Sequence, residues 1–382
     1  MRVWALVAFM LVTLSVFSSC QSPGDTKPAR KTDKTRERTK AMAVDFESVV
    51  APGAFEERVA TAGGRVDFVF EDERPFAECH ASTLAQAGDG ALFCAWFGGT
   101  EEKDPDVGIW LARFADGAWS SCMLAAKVDD RAHWNPVLFG DPDRGLYLFV
   151  KVGVDVPQWQ TYWMRSRDDG ATWSGPVELV AGDVGGRGPV KNKAIILSDG
   201  AWLAPASTEM GGWKPFADRS EDGGVTWQRS ADFVIDHKAI KGVGAIQPTF
   251  WESSPGEVHA LMRTAAGCVV RTDSHDGGRT WEAVYRTDLP NNNSGIDALR
   301  LDDGRVLLVY NPIGLNWGPR TPLRLAVSSD NGVTWLPIAD LERDEGEYSY
   351  PAIIQTTQGV AVSYTWKRER VRCWQIPLAA LG

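Results

Sequence analysis

Polar side chains recur at a similar distance before a series of glycine turns. About ten residues before each turn, the chain carries His80, Asn135, Lys191 to Lys193, Gln247, Asn293 to Asp297, and Tyr348 to Tyr350. Imidazole, amine, phenol and carboxylate groups transfer protons or bind anions, and amides hold hydroxyl groups. If these positions converge, they predict a pocket for a hydrophilic ligand. The alternative interpretation is that they are simply exposed to solvent.

The turns that would position these side chains form a regular series. Each joins two apolar strand patterns, and their glycines are Gly90, Gly145, Gly200, Gly256, Gly304 and Gly359. Successive glycines lie 55, 55, 56, 48 and 55 residues apart, a length that suits four short strands with their turns. The series therefore predicts an all-β fold, a six-bladed β-propeller. A strand from residues 47–72 is expected to complete the last blade, and no helical period is sustained beyond the N-terminal segment.

A second repeat supports the same fold. The motif S-x-D-x-G-x-T-W occurs at 166–173, 220–227, 274–281 and 328–335, so that its tryptophans are 54 residues apart, and FADGAWS keeps a worn copy around Trp119. In this Asp box, the carboxylate accepts hydrogen bonds from its own turn and the indole fills a gap beside a hairpin. We therefore predict a structural role for the box aspartates rather than a place in an active site.

Composition and charge narrow the possible partners. The chain has 382 residues, 44% of them hydrophobic, with 17 Trp, 38 Gly and 6 Cys. A formal charge of -10 and a pI near 5.1 leave no basic surface for nucleic acid. The cysteines after Cys20 are odd in number and lack metal-ligand spacing, so at most one or two disulfides, no metal site and no cofactor are predicted.

The N-terminus predicts export. An apolar run from Val3 to Phe17 is followed by Ser18, Ser19 and Cys20, which resembles a bacterial lipoprotein signal with lipidation at Cys20. A plain secretory signal is the alternative. Residues 1–20 are the signal, residues 21–44 a polar, disordered linker, and residues 45–382 the propeller. The expected location is the cell envelope or outside the cell, with membrane contact only through the lipid.

Residues 70 to 370 resemble the sialidase superfamily, specifically its BNR-repeat, sialidase-like members. The Asp boxes carry the resemblance together with segments such as WFGGTEEKDPDVGIW, GPVKNKAIILSDG and YTWKRER. It implies an exo-glycosidase that releases sialic acid or a related acidic sugar from a glycan. Matching positions imply Asp106 as acid/base, with Asp104 as a rival, Tyr348 as nucleophile, and Arg263 and Arg320 as ligands of the sugar carboxylate.

Two positions depart from the family pattern. His80 stands where the first-blade Arg is expected, and Gln247 stands where a Glu would assist the tyrosine. Gln247 cannot take a proton, whereas protonated His80 could be a third donor to the carboxylate. Asn135, Lys193 and Glu209 are further candidates for substrate binding, and Glu209 is a possible replacement carboxylate.

Two other functions remain open at this point. In a uronate-directed polysaccharide lyase, His80 and Tyr348 would act as base and acid while the arginines neutralise the carboxylate. In a non-catalytic carbohydrate-binding propeller, rim tryptophans would stack on sugar rings. The candidates for that rim are Trp134, Trp159, Trp213 and Trp317. The oligomeric state does not follow from the sequence.

Overall fold

The computed structural model describes residues 48–382 of the chain, and the predicted signal, Cys20 and the linker lie outside this part. A helix, α1 (Pro52–Thr61), and a strand, β1 (Arg65–Phe68), precede the first blade. No described helix is long and apolar enough to span a membrane. Helix α1 corrects the expectation of no helix: Pro52 starts it, and its buried Phe55 and Val59 pack on the last blade.

Six antiparallel sheets follow one another along the chain, which confirms the six-bladed β-propeller. Blade 1 contains β2 (Glu78–Gln86), β3 (Leu92–Gly99), β4 (Gly108–Ala115), β5 (Ala118–Trp119) and β6 (Met123–Ala126), the last of which also pairs with β4. Blade 2 contains β7 (His133–Asp141), β8 (Gly145–Val152), β9 (Gln160–Ser166) and β10 (Val177–Glu178), with a 3-10 turn at Val156–Gln158. Blade 3 contains β11 (Ile195–Ile196), β12 (Trp202–Thr208), β13 (Lys214–Ser220) and β14 (Gln228–Arg229).

The second half of the ring repeats this plan. Blade 4 contains β15 (Ala245–Ser254), β16 (Glu257–Thr264), β17 (Cys268–Ser274) and β18 (Tyr285–Pro290). Blade 5 contains β19 (Asp297–Arg300), β20 (Val306–Tyr310), β21 (Leu323–Ser328) and β22 (Leu336–Glu342). Blade 6 contains β23 (Tyr348–Thr356), β24 (Gly359–Trp366) and β25 (Arg370–Ile376), and a 3-10 turn at Leu378–Ala380 follows.

The ring closes as predicted. β1 pairs antiparallel with β25, from Arg65 opposite Gln375 to Phe68 opposite Arg372, and so becomes the fourth strand of blade 6. The first strands of neighbouring blades pack side by side, since β2 contacts β7 on one side and β23 on the other. Because each second strand runs antiparallel to the first, the starts of first strands and the ends of second strands meet at one end of the axis.

The predicted glycines and Asp boxes form the turns. All six hairpin glycines have positive φ, for example 88° at Gly90 and 91° at Gly304, which other residues adopt only with strain. In the box of blade 3, Asp222 Oδ1 accepts from Thr226 N at 2.8 Å and Oδ2 from Thr226 Oγ1 at 2.6 Å. These bonds, the one from the Thr226 hydroxyl foremost, lower the pKa of Asp222 to about 2. The box carboxylates thus close turns between the third and fourth strands.

The cysteines contribute no cross-links in the described residues. Cys79, Cys94, Cys122, Cys268 and Cys373 are all free thiols, so that apolar packing and strand pairing hold residues 48–382 together. Burial raises the pKa of the Cys122 thiol to about 11, which keeps it protonated at neutral pH.

Trp227→Ala is expected to lower the free energy of unfolding by about 3–5 kcal/mol, because removing a large buried side chain leaves a cavity. This box indole packs between blades 2 and 3, with ring centroids 6.2 Å from Phe149 and 6.3 Å from Trp202. Chemical denaturation measures the change. Trp317→Ala is the control, because Trp317 is 70% exposed. An equally small effect of both substitutions would contradict a structural role for the box tryptophan.

Candidate active site

The first strands of four blades carry the same irregularity near their starts. Strand pairing slips between His80 and Thr83, between Trp134 and Val137, between Ile246 and Thr249, and between Ser349 and Ala352. Inside these bulges, left-handed backbone occurs at Ala81 (φ 57°), Asn135 (21°), Gln247 (54°) and Tyr350 (52°). Left-handed non-glycine residues are uncommon, and bulges redirect side chains. Asn135, predicted to bind substrate, is therefore buried at the position in blade 2 that Gln247 and Tyr350 occupy in theirs.

Tyr350 is the centre of a cluster of basic side chains from several blades. Arg263 Nη1 donates to Tyr350 Oη at 2.7 Å, and the His80 ring centroid lies 4.2 Å from that of Tyr350. The guanidinium carbons of Arg263 and Arg320 lie 5.6 and 5.7 Å from the Tyr350 centroid. Tyr350 itself is half-buried. We call this group the axial cluster. Its members are His80, Arg263, Arg320, Tyr350 and Arg368, the last of which is described below.

Tyr348, the predicted nucleophile, is not part of this cluster. Its side chain is 1% exposed and packs among apolar side chains of blades 5 and 6, with its ring centroid 6.4 Å from that of Trp366. Burial, with help from Glu342 and Asp344, raises its pKa to about 12. The bulge after Ser349 separates the two tyrosines. It gives Tyr350 a left-handed backbone and directs its ring toward the arginines.

Arg320 and Arg368 share one carboxylate. Arg320 Nη1 donates to Glu347 Oε1 at 2.5 Å, and Arg368 Nε lies 3.2 Å from both Glu347 oxygens. Arg368 Nη1 also donates to Glu102 Oε2 at 2.6 Å. Burial pushes the pKa of Glu347 up, but the charges of Arg320 and Arg368 outweigh it and leave the pKa below its ordinary value. Glu347 is thus an anion held between two guanidinium groups.

Arg368 was not predicted as a site residue from the sequence, although it lies in the YTWKRER segment. It follows β24, in a turn where Lys367 (φ 54°) and Arg368 (φ 58°) are both left-handed. Two consecutive non-glycine residues in this conformation are strained, and such strain concentrates at functional sites. Arg368 brings a third guanidinium to the cluster, from blade 6 rather than blade 1.

His80 is a neutral imidazole in this environment. It is 3% exposed, and its Nδ1 has no hydrogen-bond partner among the described residues. Burial above all, and then the charges of Arg368, Arg320 and Arg263, hold its pKa well below the ordinary value. Adding a charge among three guanidinium groups is unfavourable, although Glu347 Oε1 lies 4.0 Å from His80 Nδ1. The expectation that protonated His80 donates to a sugar carboxylate stays a prediction.

Arg263 has neutral partners only. Besides Tyr350, its side chain donates to Gln247 Oε1 at 3.1 Å, to Asn293 Oδ1 at 2.9 Å and to the Asn293 carbonyl. It is 3% exposed, its hydrogen-bond partners among residues 48–382 are all uncharged, and its Nε has no partner there. A buried guanidinium without a counter-ion is costly. Gln247, where the resemblance implies a Glu, thus leaves the charge of Arg263 available to an anion.

Two further candidates, Lys193 and Asp106, are not members of the axial cluster. Lys193 is not free to bind substrate, because its Nζ lies 3.0 Å from Asp297 Oδ2 and donates to Ala298 O at 2.8 Å. Asp106 is exposed, and its Oδ2 accepts from Thr100 N at 2.9 Å and Thr100 Oγ1 at 2.8 Å. It lies in the loop between β3 and β4 that also carries Glu102, at the same end of the axis as the cluster.

Glu209 follows β12 at that end of the axis as well. Its Oε2 accepts from Trp213 Nε1 at 2.9 Å, while Oε1 makes none of the described hydrogen bonds. The Trp213 ring centroid lies 5.6 Å from the Arg263 guanidinium carbon, which links Glu209 to the cluster. Burial raises the pKa of Glu209, with Arg263 and Trp213 opposing the rise.

The proposed tryptophan rim is only partly present. Trp134 and Trp159 are buried and pack on each other with centroids 5.5 Å apart, so they cannot stack on a sugar. Trp213 is half-buried beside Glu209, and Trp317 is exposed in the loop before Arg320. The clefts that are lined by described residues include one between blades 1 and 6 near Gly117 and Gln358, which shares no residue with the axial cluster.

Comparisons with known proteins agree with this architecture. Residues 90–362 match the sequence model of the BNR repeat-like domain. A Hadza microbial sialidase is 20% identical, with 83% of this chain and 69% of that chain covered and a TM-score of 0.67. A Dyadobacter fermentans protein of unknown function is 19% identical, with coverage of 81% and 96% and a TM-score of 0.66.

A third similar structure is the NanB sialidase from Streptococcus pneumoniae, which is 14% identical with coverage of 81% and 69% and a TM-score of 0.65. At these identities, the likeness concerns the fold alone. A comparison with curated proteins found no match. The match over residues 90–362 places the chain in the BNR repeat-like domain family.

Proposed function

We propose that this protein is a glycan-processing enzyme, an exo-glycosidase that cleaves off a terminal sugar bearing a carboxylate. The observation that carries the proposal is the convergence of Arg263 and Arg320 on the half-buried ring of Tyr350, with Arg368 joined to them through Glu347, which it shares with Arg320. Guanidinium groups bind carboxylates through charge-assisted and often bidentate hydrogen bonds. Sialic acid and uronic acids are the sugars with that group. The predicted export signal, with lipidation at Cys20, would place the enzyme where such glycans occur.

The charge balance supports an anionic ligand. Glu347 offsets part of the charge of Arg320 and Arg368, and Glu102 contributes from the loop between β3 and β4. The hydrogen-bond partners of Arg263 among residues 48–382 are all uncharged, and its charge acts on the Glu209 carboxylate without a hydrogen bond between them. A ligand carboxylate beside Arg263 and Arg320 would supply further negative charge.

Tyr350 takes the role first predicted for Tyr348. Its phenolic proton would pass to solvent as its oxygen attacks the anomeric carbon and the glycosidic bond breaks, forming a tyrosyl glycoside that water then hydrolyses. Arg263 donates to this oxygen and so stabilises negative charge that develops on it. Gln247 orients Arg263 and takes no proton. Activation of Tyr350 therefore depends on nearby positive charge.

A leaving sugar also needs a proton. The resemblance implies Asp106 for this step, but its Oδ2 holds the Thr100 turn and the side chain is exposed. Glu209 has a raised pKa and an oxygen without a described partner, whereas Glu347 has a lowered pKa and stays ionised. Carboxylates whose environments push their pKa values apart are the pattern of acid and stabilising anion in glycosidases. We therefore favour Glu209 as proton donor, with Asp106 as the alternative.

The unpartnered Nδ1 of neutral His80 favours a second candidate, β-elimination on a uronate. Once the uronate carboxylate offsets the guanidinium charges that oppose its protonation, His80 would remove the proton next to that carboxylate, and Tyr350 would protonate the leaving oxygen. The product would then carry a carbon–carbon double bond, which hydrolysis does not produce. Product analysis separates the two reactions.

Tyr350→Phe is expected to reduce turnover by at least about 100-fold, because the substitution removes the nucleophilic oxygen and leaves the ring in place. The assay follows free sugar from sialyllactose and unsaturated product from uronate oligosaccharides. Tyr348→Phe is the matched control and should keep most of the activity. Loss of activity in Tyr348→Phe with full activity in Tyr350→Phe would contradict the assignment. No turnover of either substrate by the wild type, with retained binding, would instead indicate a non-catalytic propeller.

Glu209→Gln is expected to reduce turnover of natural glycans by about 100-fold or more, because a general acid is lost. Substrates with a methylumbelliferyl leaving group need less protonation and should lose less. The wild-type rate should fall as pH rises through the elevated pKa of Glu209, and this alkaline limb should disappear in the variant. The same pattern in Asp106→Asn, with Glu209→Gln unaffected, would return the role to Asp106.

A further inference from the structure

A buried lysine reaches across the propeller axis beneath Tyr350. Lys191 precedes β11 in blade 3, and its side chain is 3% exposed. Its Nζ donates to Asn192 Oδ1 at 2.8 Å, to Ile296 O at 3.0 Å and to Pro351 O. An ammonium has three N–H groups, and all three are used. Lys191 thus links blade 3 to the chain just before β19 and to β23 of blade 6.

The contact with Pro351 fixes the bulge that presents Tyr350. Pro351 follows Tyr350, whose φ of 52° is left-handed and therefore needs support from its surroundings. The Lys191 Nζ also lies 6.0 Å from the Tyr350 ring centroid. One ammonium thus holds the backbone on one side of Tyr350 and places a positive charge near its ring.

Gly295 provides the space for this arrangement. A Cβ at Gly295 would lie 3.1 Å from Lys191 Cε and 3.4 Å from Cγ and Cδ2 of Tyr350. Gly295 has no positive φ, so the constraint is the space between the two side chains rather than the backbone conformation. The lysine and the tyrosine are therefore packed against the same glycine.

From these contacts, we infer that Lys191 is the positioning residue of the axial cluster, holding Tyr350 in its bulge so that its oxygen stays on Arg263. The inference rests on the proposed function of Tyr350, and it adds a residue to which no family role was assigned in the sequence analysis. Lys191 is not a catalytic residue, because its three donors are taken by protein oxygens.

The charge of Lys191 is pH-sensitive. Burial lowers its pKa to about 7, Asp297 opposes the shift, and Lys193 and Arg263 add to it. His80 faces the same charges, and Lys191 contributes to its lowered pKa. As pH rises through about 7, Lys191 loses its charge and its third donor, so its hold on Pro351 weakens. The positioning of Tyr350 should therefore be firmer on the acid side of neutrality.

Lys191→Met tests the inference, with Lys151→Met as the matched control. Lys151 is equally buried in blade 2, has a pKa of about 7 for the same reason, and donates to Thr161 Oγ1 and Arg187 O at 2.7 Å each. Neither of these acceptors belongs to the axial cluster. Any general cost of removing a buried ammonium is therefore common to both variants.

The first measurement needs no substrate. The chain has 7 tyrosines, so ring-labelled tyrosine gives few NMR signals, and Tyr350→Phe identifies the one of interest. Lys191→Met should shift or broaden the Tyr350 signal, and Lys151→Met should leave it unchanged. In the wild type, the signal should also change as pH passes about 7, and this change should be absent in Lys191→Met. An unchanged Tyr350 signal in folded Lys191→Met would overturn the inference, whether or not the protein is a glycosidase.

The second measurement uses turnover of the acidic-sugar substrate. Lys191→Met should lower kcat by on the order of 100-fold, as expected for a misplaced reacting group, with a much smaller change in KM. Equal losses in both lysine variants would indicate a merely structural role and overturn the inference. If Lys191→Met does not fold, Gly295→Ala disturbs the same packing with the charge retained. A wild-type Tyr350 signal in Gly295→Ala would then contradict the inference.

Discussion

The hydrogen bond from Arg263 to Tyr350 is the interaction on which the rest of the site depends. It joins blade 4 to blade 6 across the axis at 2.7 Å. On one side, Gln247 and Asn293 fix the guanidinium by neutral dipoles. On the other side, the bulge of β23 fixes the phenol. Because Arg263 hydrogen-bonds only to uncharged groups among the described residues, the pair combines an oriented hydroxyl with a positive charge.

Three guanidinium groups keep the axial cluster cationic, although His80 stands where the resemblance implies an arginine. His80 replaces an expected arginine and is neutral, because burial and three guanidinium groups oppose its protonation. Arg368 restores the lost charge from the neighbouring blade and shares Glu347 with Arg320. Gln247 is neutral where the resemblance implies a Glu, so the site lacks both the negative charge and the base that a Glu would provide. The site is consequently more cationic around Tyr350 than a pattern with Glu would be, which suits a tyrosine activated by positive charge.

The fold could be predicted from the sequence because its determinants are local. Hairpin glycines need positive φ, and box residues bond within their own turns, so both leave a regular spacing in the chain. Tyr348 was predicted in the site because a regular strand puts Tyr348 and Tyr350 on the same face, and only the bulge separates them. A usable signal existed: Asn135, Gln247 and Tyr350 each precede a proline, about nine or ten residues before a hairpin glycine. Arg368 left no such signal, because its approach depends on two left-handed residues in a turn and on acceptors from distant parts of the chain.

The filled axis also bears on how a glycan can bind. Below Tyr350, Lys193 pairs with Asp297, whose carboxylate further accepts from Thr249 Oγ1 at 2.7 Å and from Ile353 N at 2.9 Å. Asn192 donates to the carbonyls of Gln247 and Pro248 at 3.1 and 2.9 Å. These bonds join the inner segments of blades 3 to 6 into a floor below the cluster. Under the proposed function, such a floor favours release of a terminal sugar, because a chain end can bind above it whereas the interior of a polysaccharide cannot pass along the axis.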